Sequence, residues 1–251
     1  MASSSQRNEQ ASLPCPVWVW SNNSDAHAAK DRCWFGDDYT PFVSFFKDMF
    51  GNTIEVVGIG TVELPTKISP TKTGPSSHGI LRLEKVLHAP SILCNIIGNP
   101  ILDDYEVLTS FSKSPSGTAG SITNLSDGRP VAYFKPMIRG VRFWEVRLSG
   151  PPVGPKVGPS PFDSSVAYVL HALWPDSERQ RFAALQASRQ TRATASGPLT
   201  SAEKAWLKTY YGNEFKFLRD HGLSIFKDED REEGRTILRA IMSNDDDEPA
   251  T

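Results

Sequence analysis

Residues 54–64 read IEVVGIGTVEL, and residues 80–102 read ILRLEKVLHAPSILCNIIGNPIL. The first stretch is rich in β-branched side chains and partly alternates apolar with polar residues, which is typical of a half-buried strand. Gly58 and Gly60 interrupt it and predict a bulge or a close approach of two backbones. The second stretch contains the returning strand, 81–87, so that the two stretches together predict a pair of antiparallel strands.

Further short strands are predicted on both sides of this pair. They cover residues 17–20, 42–49, 105–111, 120–125, 130–134 and 142–148. Gly51 and Asn52 predict a hairpin turn between 42–49 and 53–64, and the almost wholly apolar segment 92–97 predicts a core element. About seven short strands at this regular spacing predict a small closed or nearly closed antiparallel β-barrel.

The hydrophobic period changes after a linker, 149–160, that is rich in proline and glycine. Asp163 is a candidate N-cap for a helix that ends at Trp174, because apolar residues recur there at helical spacing. Thr200 and Glu203 form a capping-box pattern for a later helix. Helices are predicted at 163–174, 177–190, 200–212, 214–222 and 228–242.

The sequence therefore predicts an α+β fold, with a small closed or nearly closed antiparallel β-barrel followed by an α-helical C-terminal region. The barrel is expected at 14–148 and the helical region at 161–243. Residues 1–13 are polar and predict a disordered N-terminus, and 244–251 predict a solvated acidic tail.

Composition excludes several classes of function. With 27 basic and 29 acidic residues the net charge is −2, which argues against a general nucleic-acid binder. Cys15, Cys33 and Cys94 have no metal-ligand spacing and do not suggest a disulfide framework, so we expect a reducing compartment. No apolar run is long enough for a membrane span or a signal peptide. A cytoplasmic protein without membrane association is predicted.

Four short segments follow one another in an order that carries a resemblance to a known family. They are Trp18, SNNSDAH at 21–27, GIGTVEL at 58–64 and VLHAPSILCNI at 86–96. The chain resembles the protease-like, retropepsin-related β-barrel region of copia-type LTR retrotransposon Pol polyproteins. The resemblance covers roughly residues 14–148 and leaves the helical C-terminal region without a recognised relative.

The resemblance implies a lost catalytic carboxylate. Aspartic proteases activate water with two carboxylates that share one proton, and in retropepsin-type enzymes each subunit of a homodimer supplies one. When Trp18 and His27 are aligned with the family's Trp and His, the family's Asp-Ser/Thr-Gly falls on Ser21, Asn22 and Asn23. A serine hydroxyl cannot replace the carboxylate, so we expect that proteolysis by this mechanism is absent.

Asp25 and His27 are the remaining candidates for catalytic residues. A shift in register brings Asp25 toward the vacant position, whereas the competing interpretation is a turn aspartate that caps residues 26–30. His27 is a candidate acid or base near neutral pH, or a metal ligand. The alternative is a hydrogen-bonded residue that holds the turn, because no Cys or His lies at ligand spacing.

Aromatic residues concentrate in the predicted barrel and suggest a second use of the vacated cleft. Trp18, Trp20 and Trp34 are expected mainly in the core, but a barrel mouth lined with them also suits an apolar ligand. The polar anchors of that binding site would be Ser21, Asn22, Asn23, Asp25 and His27.

Three functions follow as hypotheses. The first is a domesticated, non-proteolytic module that binds a protein partner or a small apolar ligand. The second is an enzyme of the cyclase or isomerase type that works by shape and hydrogen bonding and needs no cofactor. The third is a residual aspartic endopeptidase that uses Asp25. The family resemblance also implies a homodimer.

Overall fold

The computed structural model describes residues 13–110, 117–137 and 143–245 of the chain. Residues 1–12 of the predicted disordered N-terminus and residues 246–251 of the predicted acidic tail lie outside these ranges. The chain divides into two compact units, with the division between Arg179 and Gln180. Residues up to 179 therefore belong with the strands, and the later residues form a helical unit.

Two β-sheets make up the first unit. In chain order the described strands are β1 Trp18–Trp20, β2 Ala28–Ala29, β3 Thr40–Lys47, β4 Thr53–Lys67, β5 His78–His88, β6 Asn95–Ile97, β7 Tyr105–Thr109, β8 Gly120–Asn124, β9 Pro130–Tyr133 and β10 Trp144–Glu145. The larger sheet has seven strands in the spatial order β10, β1, β6, β2, β5, β4, β3, and the smaller has the order β7, β8, β9.

The predicted closed or nearly closed antiparallel barrel is wrong. Within the described residues the larger sheet is open and mixed, with β10 and β3 at its edges, and the smaller sheet is separate from it. β1 pairs in parallel with β6, and β2 pairs in parallel with β5. Trp18 thus lies opposite Asn95. Strand spacing predicts hairpin neighbours, but it carries no signal for pairs between strands that are far apart in sequence.

The bulge predicted at the two glycines of β4 is confirmed. The register between β4 and β5 shifts between Gly60 and Val62. A Cβ atom on Gly58 would lie 2.2 Å from the hydroxyl oxygen of Tyr39. That hydroxyl also makes a hydrogen bond of 2.8 Å with Nδ1 of His88. The close approach of a tyrosine ring therefore explains why β4 needs glycine here.

The main hydrophobic core lies between the sheets of the first unit. Its buried members include Trp18, Trp34, Leu64, Leu81, Leu83, Ile97, Ile101, Ile122 and Phe134. The apolar segment 92–97 is largely buried, as predicted, with Ile96 and Ile97 in strand β6. Burial of each large apolar side chain contributes roughly 1.5–3 kcal/mol, so this core is the main source of the unit's stability.

Four α-helices lie in the described part of the chain, after the strands. They are α1 Asp176–Ser196, α2 Ser201–Tyr210, α3 Glu214–Asp220 and α4 Asp228–Asp245. The capping box predicted at α2 is confirmed, since the Thr200 hydroxyl accepts from the Glu203 N–H and the Glu203 carboxylate accepts from the Thr200 N–H. Gly212 and Gly222 follow α2 and α3 with positive φ angles of 82° and 75°. None of these helices is both long and apolar enough to cross a lipid bilayer.

The helix predicted from Asp163 to Trp174 is wrong. The carboxylate of Asp163 accepts a hydrogen bond of 2.8 Å from the N–H of Ser165, but only one turn follows. Residues 170–174 then run without helical structure alongside the first unit. We call these five residues the strap.

Candidate functional site

The turn that follows β1 holds a pair of buried hydroxyl groups where the resemblance places a catalytic carboxylate. Ser21 donates its N–H to the carbonyl oxygen of Ile97 in β6, at 2.9 Å. Ser24 donates its hydroxyl to the Ser21 hydroxyl at 3.0 Å, and both residues are buried. The Ser24 hydroxyl donates to Ser21 and the Ser21 hydroxyl donates to the carbonyl oxygen of Leu170, so both groups position the backbone. Neither donates to a base that could take up its proton, as activation for catalysis would require.

Asn22 and Asn23 lie at the exposed tip of the same turn. The carbonyl oxygen of Asn22 accepts a hydrogen bond of 3.0 Å from the side-chain amide of Asn99. Neither asparagine lines the cavity next to Asp25 and His27. These two predicted anchors therefore do not share the cavity with Asp25 and His27.

The strap covers the Ser21–Asp25 turn through main-chain hydrogen bonds. Asp25 donates its N–H to the carbonyl oxygen of Ala172 at 2.9 Å. Ala172 in turn donates its N–H to the Ser24 hydroxyl at 3.0 Å, and Trp174 donates its N–H to Oδ1 of Asp25 at 2.8 Å. An extended segment of the chain itself thus lies over the Ser21–Asp25 turn.

Both ends of the strap are fixed by further contacts. At one end the Ser21 hydroxyl donates to the carbonyl oxygen of Leu170 at 3.1 Å. At the other end Leu173 and Lys47 form an antiparallel bridge and exchange two hydrogen bonds, of 2.8 and 2.9 Å. These tertiary contacts satisfy the backbone in extended form and explain why no helix forms here.

Asp25 is held by an ion pair as well as by the strap. Its Oδ1 lies 3.0 Å from a guanidinium nitrogen of Arg179, and the two side chains are 43% and 33% exposed. Arg179 also donates to the carbonyl oxygens of Asp25 and Trp174, at 2.9 and 3.1 Å. Its guanidinium group lies 5.0 Å from the centre of the Trp174 ring. Asp25 therefore joins the turn to the strap and to Arg179 through hydrogen bonds and an ion pair.

His27 is buried, with 3% of its surface exposed. Its Nδ1 accepts a hydrogen bond of 3.0 Å from the N–H of Gly98. Burial lowers the pKa of His27 to about 4, because the charged imidazolium loses its hydration. A Cβ atom on Gly98 would lie 2.4 Å from the carbonyl oxygen of Ala26, so only glycine fits there. At neutral pH His27 is thus an uncharged imidazole that ties the turn to β6.

The Trp174 side chain reaches a buried carboxylate. Its indole N–H donates to the Ser44 hydroxyl at 3.1 Å, and that hydroxyl donates to Oε2 of Glu178 at 2.8 Å. Trp174, Ser44 and Glu178 are all buried. No local sequence signal predicts these two hydrogen bonds, because Ser44 lies in β3 and Glu178 lies in the first turn of α1.

The three tryptophans predicted near the cleft lie in the main core. Trp18 and Trp34 pack edge to face with ring centroids 5.7 Å apart, and Trp20 stacks on Phe134 at 6.4 Å. None of the three lines the cavity beside Asp25. Trp34 does border an open groove of about 480 Å³ elsewhere on the same unit.

A cavity of about 250 Å³ lies beside the Ser21–Asp25 turn, and both predicted catalytic residues, Asp25 and His27, line it. Its lining residues are Asp25, Ala26, His27, Arg82, Leu83, Glu84, Lys85, Pro100, Ile101, Asp103, Asp104, Tyr105, Trp174 and Arg179. The floor is partly apolar, and the rim carries charges of both signs. The sequence predicted two of these residues, Asp25 and His27. It did not predict the others, because the lining comes from five separate parts of the chain.

The described residues thus define a mixed α/β protein of two units, with a turn covered by its own strap and a small cavity beside it. Within the described ranges no group of three His, Cys, Asp or Glu residues is placed to hold a metal ion. No protein-family model, no curated protein and no solved structure matches the chain significantly.

Proposed function

We propose that this chain is a non-proteolytic interaction module, derived from a protease-like ancestor of the copia type. The observation that carries the proposal is the strap, which lies over the Ser21–Asp25 turn. Main-chain groups of the strap form hydrogen bonds with Ser21, Ser24 and Asp25. A cleft that holds an extended segment of polypeptide in this way is built to bind a polypeptide strand.

The contacts of Asp25 argue against a residual endopeptidase. Peptide hydrolysis by this mechanism needs two carboxylates that share a proton. Asp25 is paired with Arg179 and accepts a main-chain hydrogen bond from Trp174. Both contacts hold the carboxylate in a fixed position and occupy the side that faces the strap.

The strap indicates which kind of segment the cleft accepts. Ala172 and Trp174 are buried, whereas Leu173 between them is 42% exposed. This alternation is that of a strand with every second side chain directed into the protein. We therefore propose a protein partner that presents an extended segment with a small residue and a tryptophan two positions apart.

Binding in trans tests the proposal with the full-length chain. A fluorescent peptide with the sequence of residues 166–176 is titrated into the wild type and into Ala172→Pro, which removes the N–H that donates to Ser24. The resident strap competes at an effective concentration in the millimolar range, so we expect about tenfold tighter binding to the variant. Val169→Ala, at an exposed position outside the strap, is the matched control.

Two results would contradict the proposal. One is equal binding of the peptide by wild type and Ala172→Pro. That result would mean that the resident strap does not compete with the peptide for the cleft. The other is specific cleavage of a polypeptide by the purified chain that disappears in Asp25→Asn, which would restore the endopeptidase hypothesis.

The second candidate is a cofactor-independent enzyme of the cyclase or isomerase type. It is supported by the 250 Å³ cavity, since Asp25 and His27 both line it. Proton transfer to a bound molecule is its minimal requirement. The test is α-deuteration of cyclohexanone in D₂O, followed by NMR for the wild type and Asp25→Asn. Exchange faster than in buffer, lost in the variant, supports the enzyme, and equal rates favour the interaction module.

A further inference from the structure

The imidazole of His27 has one nitrogen whose hydrogen-bonding capacity is unused. Nδ1 accepts from the N–H of Gly98, so the proton of the neutral ring resides on Nε2. Nε2 makes no hydrogen bond with any residue in the described ranges. A buried donor without a partner costs about 1–3 kcal/mol, so such a group calls for an explanation.

Nε2 differs from the other unpaired nitrogens of the same unit. The indole nitrogens of Trp18, Trp20 and Trp34 are fully enclosed and have no hydrogen-bond partner among the residues that the structure describes. Nε2 of His27 is not among the enclosed atoms, although the residue as a whole is buried. His27 lines the 250 Å³ cavity. Nε2 therefore keeps part of the small exposed surface of His27, and we take the cavity that His27 lines as the space open to its N–H.

The remaining walls define the kind of molecule that fits. Ala26, Leu83, Pro100 and Ile101 supply apolar contacts, and the Trp174 ring supplies an aromatic face. The charges of Asp25 and Arg179 neutralise each other at 3.0 Å, and those of Arg82 and Glu84 do so at 3.3 Å. Lys85, Asp103 and Asp104 also line the cavity, so the lining carries four acidic and three basic side chains and neither sign dominates. An ionic ligand would compete with the two ion pairs and would lie beside charges of its own sign, so an uncharged ligand is favoured.

We propose that this cavity binds a small uncharged carbonyl compound, whose oxygen accepts a hydrogen bond from Nε2 of His27. The cavity is smaller than the 300–1,000 Å³ of typical drug-sized sites, so the ligand is the size of a ring of six atoms or a short chain. Binding requires no proton transfer and no displacement of the strap. Because Trp174 of the strap forms one wall of the cavity, the ligand binds while the strap is in place.

NMR on the full-length wild type tests the site directly. The imidazole resonances of His27 are followed by ¹H–¹⁵N correlation during titration with cyclohexanone. We expect the pattern of a neutral ring protonated at Nε2, and a shift of its Nε2–H signal with a dissociation constant on the order of 1 mM, a weak value typical of so small a ligand. Benzoate, which has a similar ring and a negative charge, is expected to shift this signal much less.

Two substitutions at His27 distinguish the hydrogen bond to the ligand from the hydrogen bond with Gly98 that holds the turn. His27→Asn places an amide oxygen near the position of Nδ1 and can still accept from Gly98, but it has no group at Nε2. His27→Gln places an amide N–H near Nε2. We expect about 3- to 10-fold weaker cyclohexanone binding by His27→Asn than by His27→Gln, the loss expected for one neutral hydrogen bond.

The proposal is overturned if the His27 Nε2–H signal of the wild type does not move up to the solubility limit of cyclohexanone. It is also overturned if benzoate shifts the signal at lower concentration than cyclohexanone, since the site would then select an anion. The wild-type titration decides these outcomes even if neither His27 variant folds.

Discussion

The carboxylate of Asp25 accepts a hydrogen bond of 2.8 Å from the main-chain N–H of Trp174, which lies 149 residues further along the chain. The same carboxylate forms an ion pair with Arg179 at the start of α1. One side chain thus joins the turn after β1 to the strap and to the first turn of a helix. The stability of this corner therefore depends on groups that are far apart in sequence.

Replacement of Asp25 is expected to cost a modest amount of stability. Because both partners of the ion pair are more than 30% exposed, Asp25→Asn should lose only about 0.5–1 kcal/mol of the free energy of unfolding. Asp25→Ala should lose about 1–3 kcal/mol, since the N–H of Trp174 also loses its acceptor. Urea denaturation measures both values. Asp37→Asn, at an exposed aspartate, is the control and should change stability by less than about 0.5 kcal/mol.

A larger side chain at Ala172 should release the strap. Ala172 has no exposed surface, so Ala172→Leu forces either a steric clash or a displacement that costs about 1–3 kcal/mol. We expect faster hydrogen exchange at the Asp25 amide, whose N–H donates to the carbonyl oxygen of Ala172. Leu173→Ala, at a position 42% exposed, is the matched control. Unchanged exchange at Asp25 in Ala172→Leu would show that the strap does not protect this amide.

A disulfide should form between positions 47 and 173. Lys47 and Leu173 are directly opposed and exchange two hydrogen bonds, which places their Cα atoms about 5.5 Å apart and within disulfide range. The Lys47→Cys/Leu173→Cys variant, prepared with Cys33→Ser to remove the exposed native thiol, should close within one chain and gain about 2–4 kcal/mol of stability. Mass spectrometry detects the bond. A disulfide from the cysteine introduced at position 47 to any position other than 173 would argue against the strap geometry.

Stability should fall as the pH drops from about 6.5 to 4. The pKa of His27 is lowered from 6.5 in the unfolded chain to about 4 in the folded protein, so the unfolded chain takes up the proton first. The stabilisation is therefore fully present above pH 6.5 and is lost as the pH falls toward 4, by up to about 3 kcal/mol. Urea denaturation at several pH values measures this slope. In His27→Asn the decline over this window should shrink, and an unchanged decline would assign it to other groups.

Local patterns in the sequence determined several elements of this protein. Gly51 and Asn52 predicted the hairpin between β3 and β4, and Gly51 has the positive φ angle of 82° that such a turn favours. Thr200 and Glu203 predicted the capping box of α2. These signals were sufficient because each depends on groups within a few residues of one another.

Only the tertiary structure decided the sheet order, the strap and the cavity. The apolar spacing of residues 163–174 predicted a helix, but Ser24, Asp25 and Lys47 supply hydrogen-bond partners that hold residues 170–174 extended. In the same way β1 pairs with β6 and not with a neighbour in sequence, so the antiparallel barrel does not form. Periodicity reports which side chains prefer burial, whereas backbone partners distant in sequence are set by packing of the whole unit.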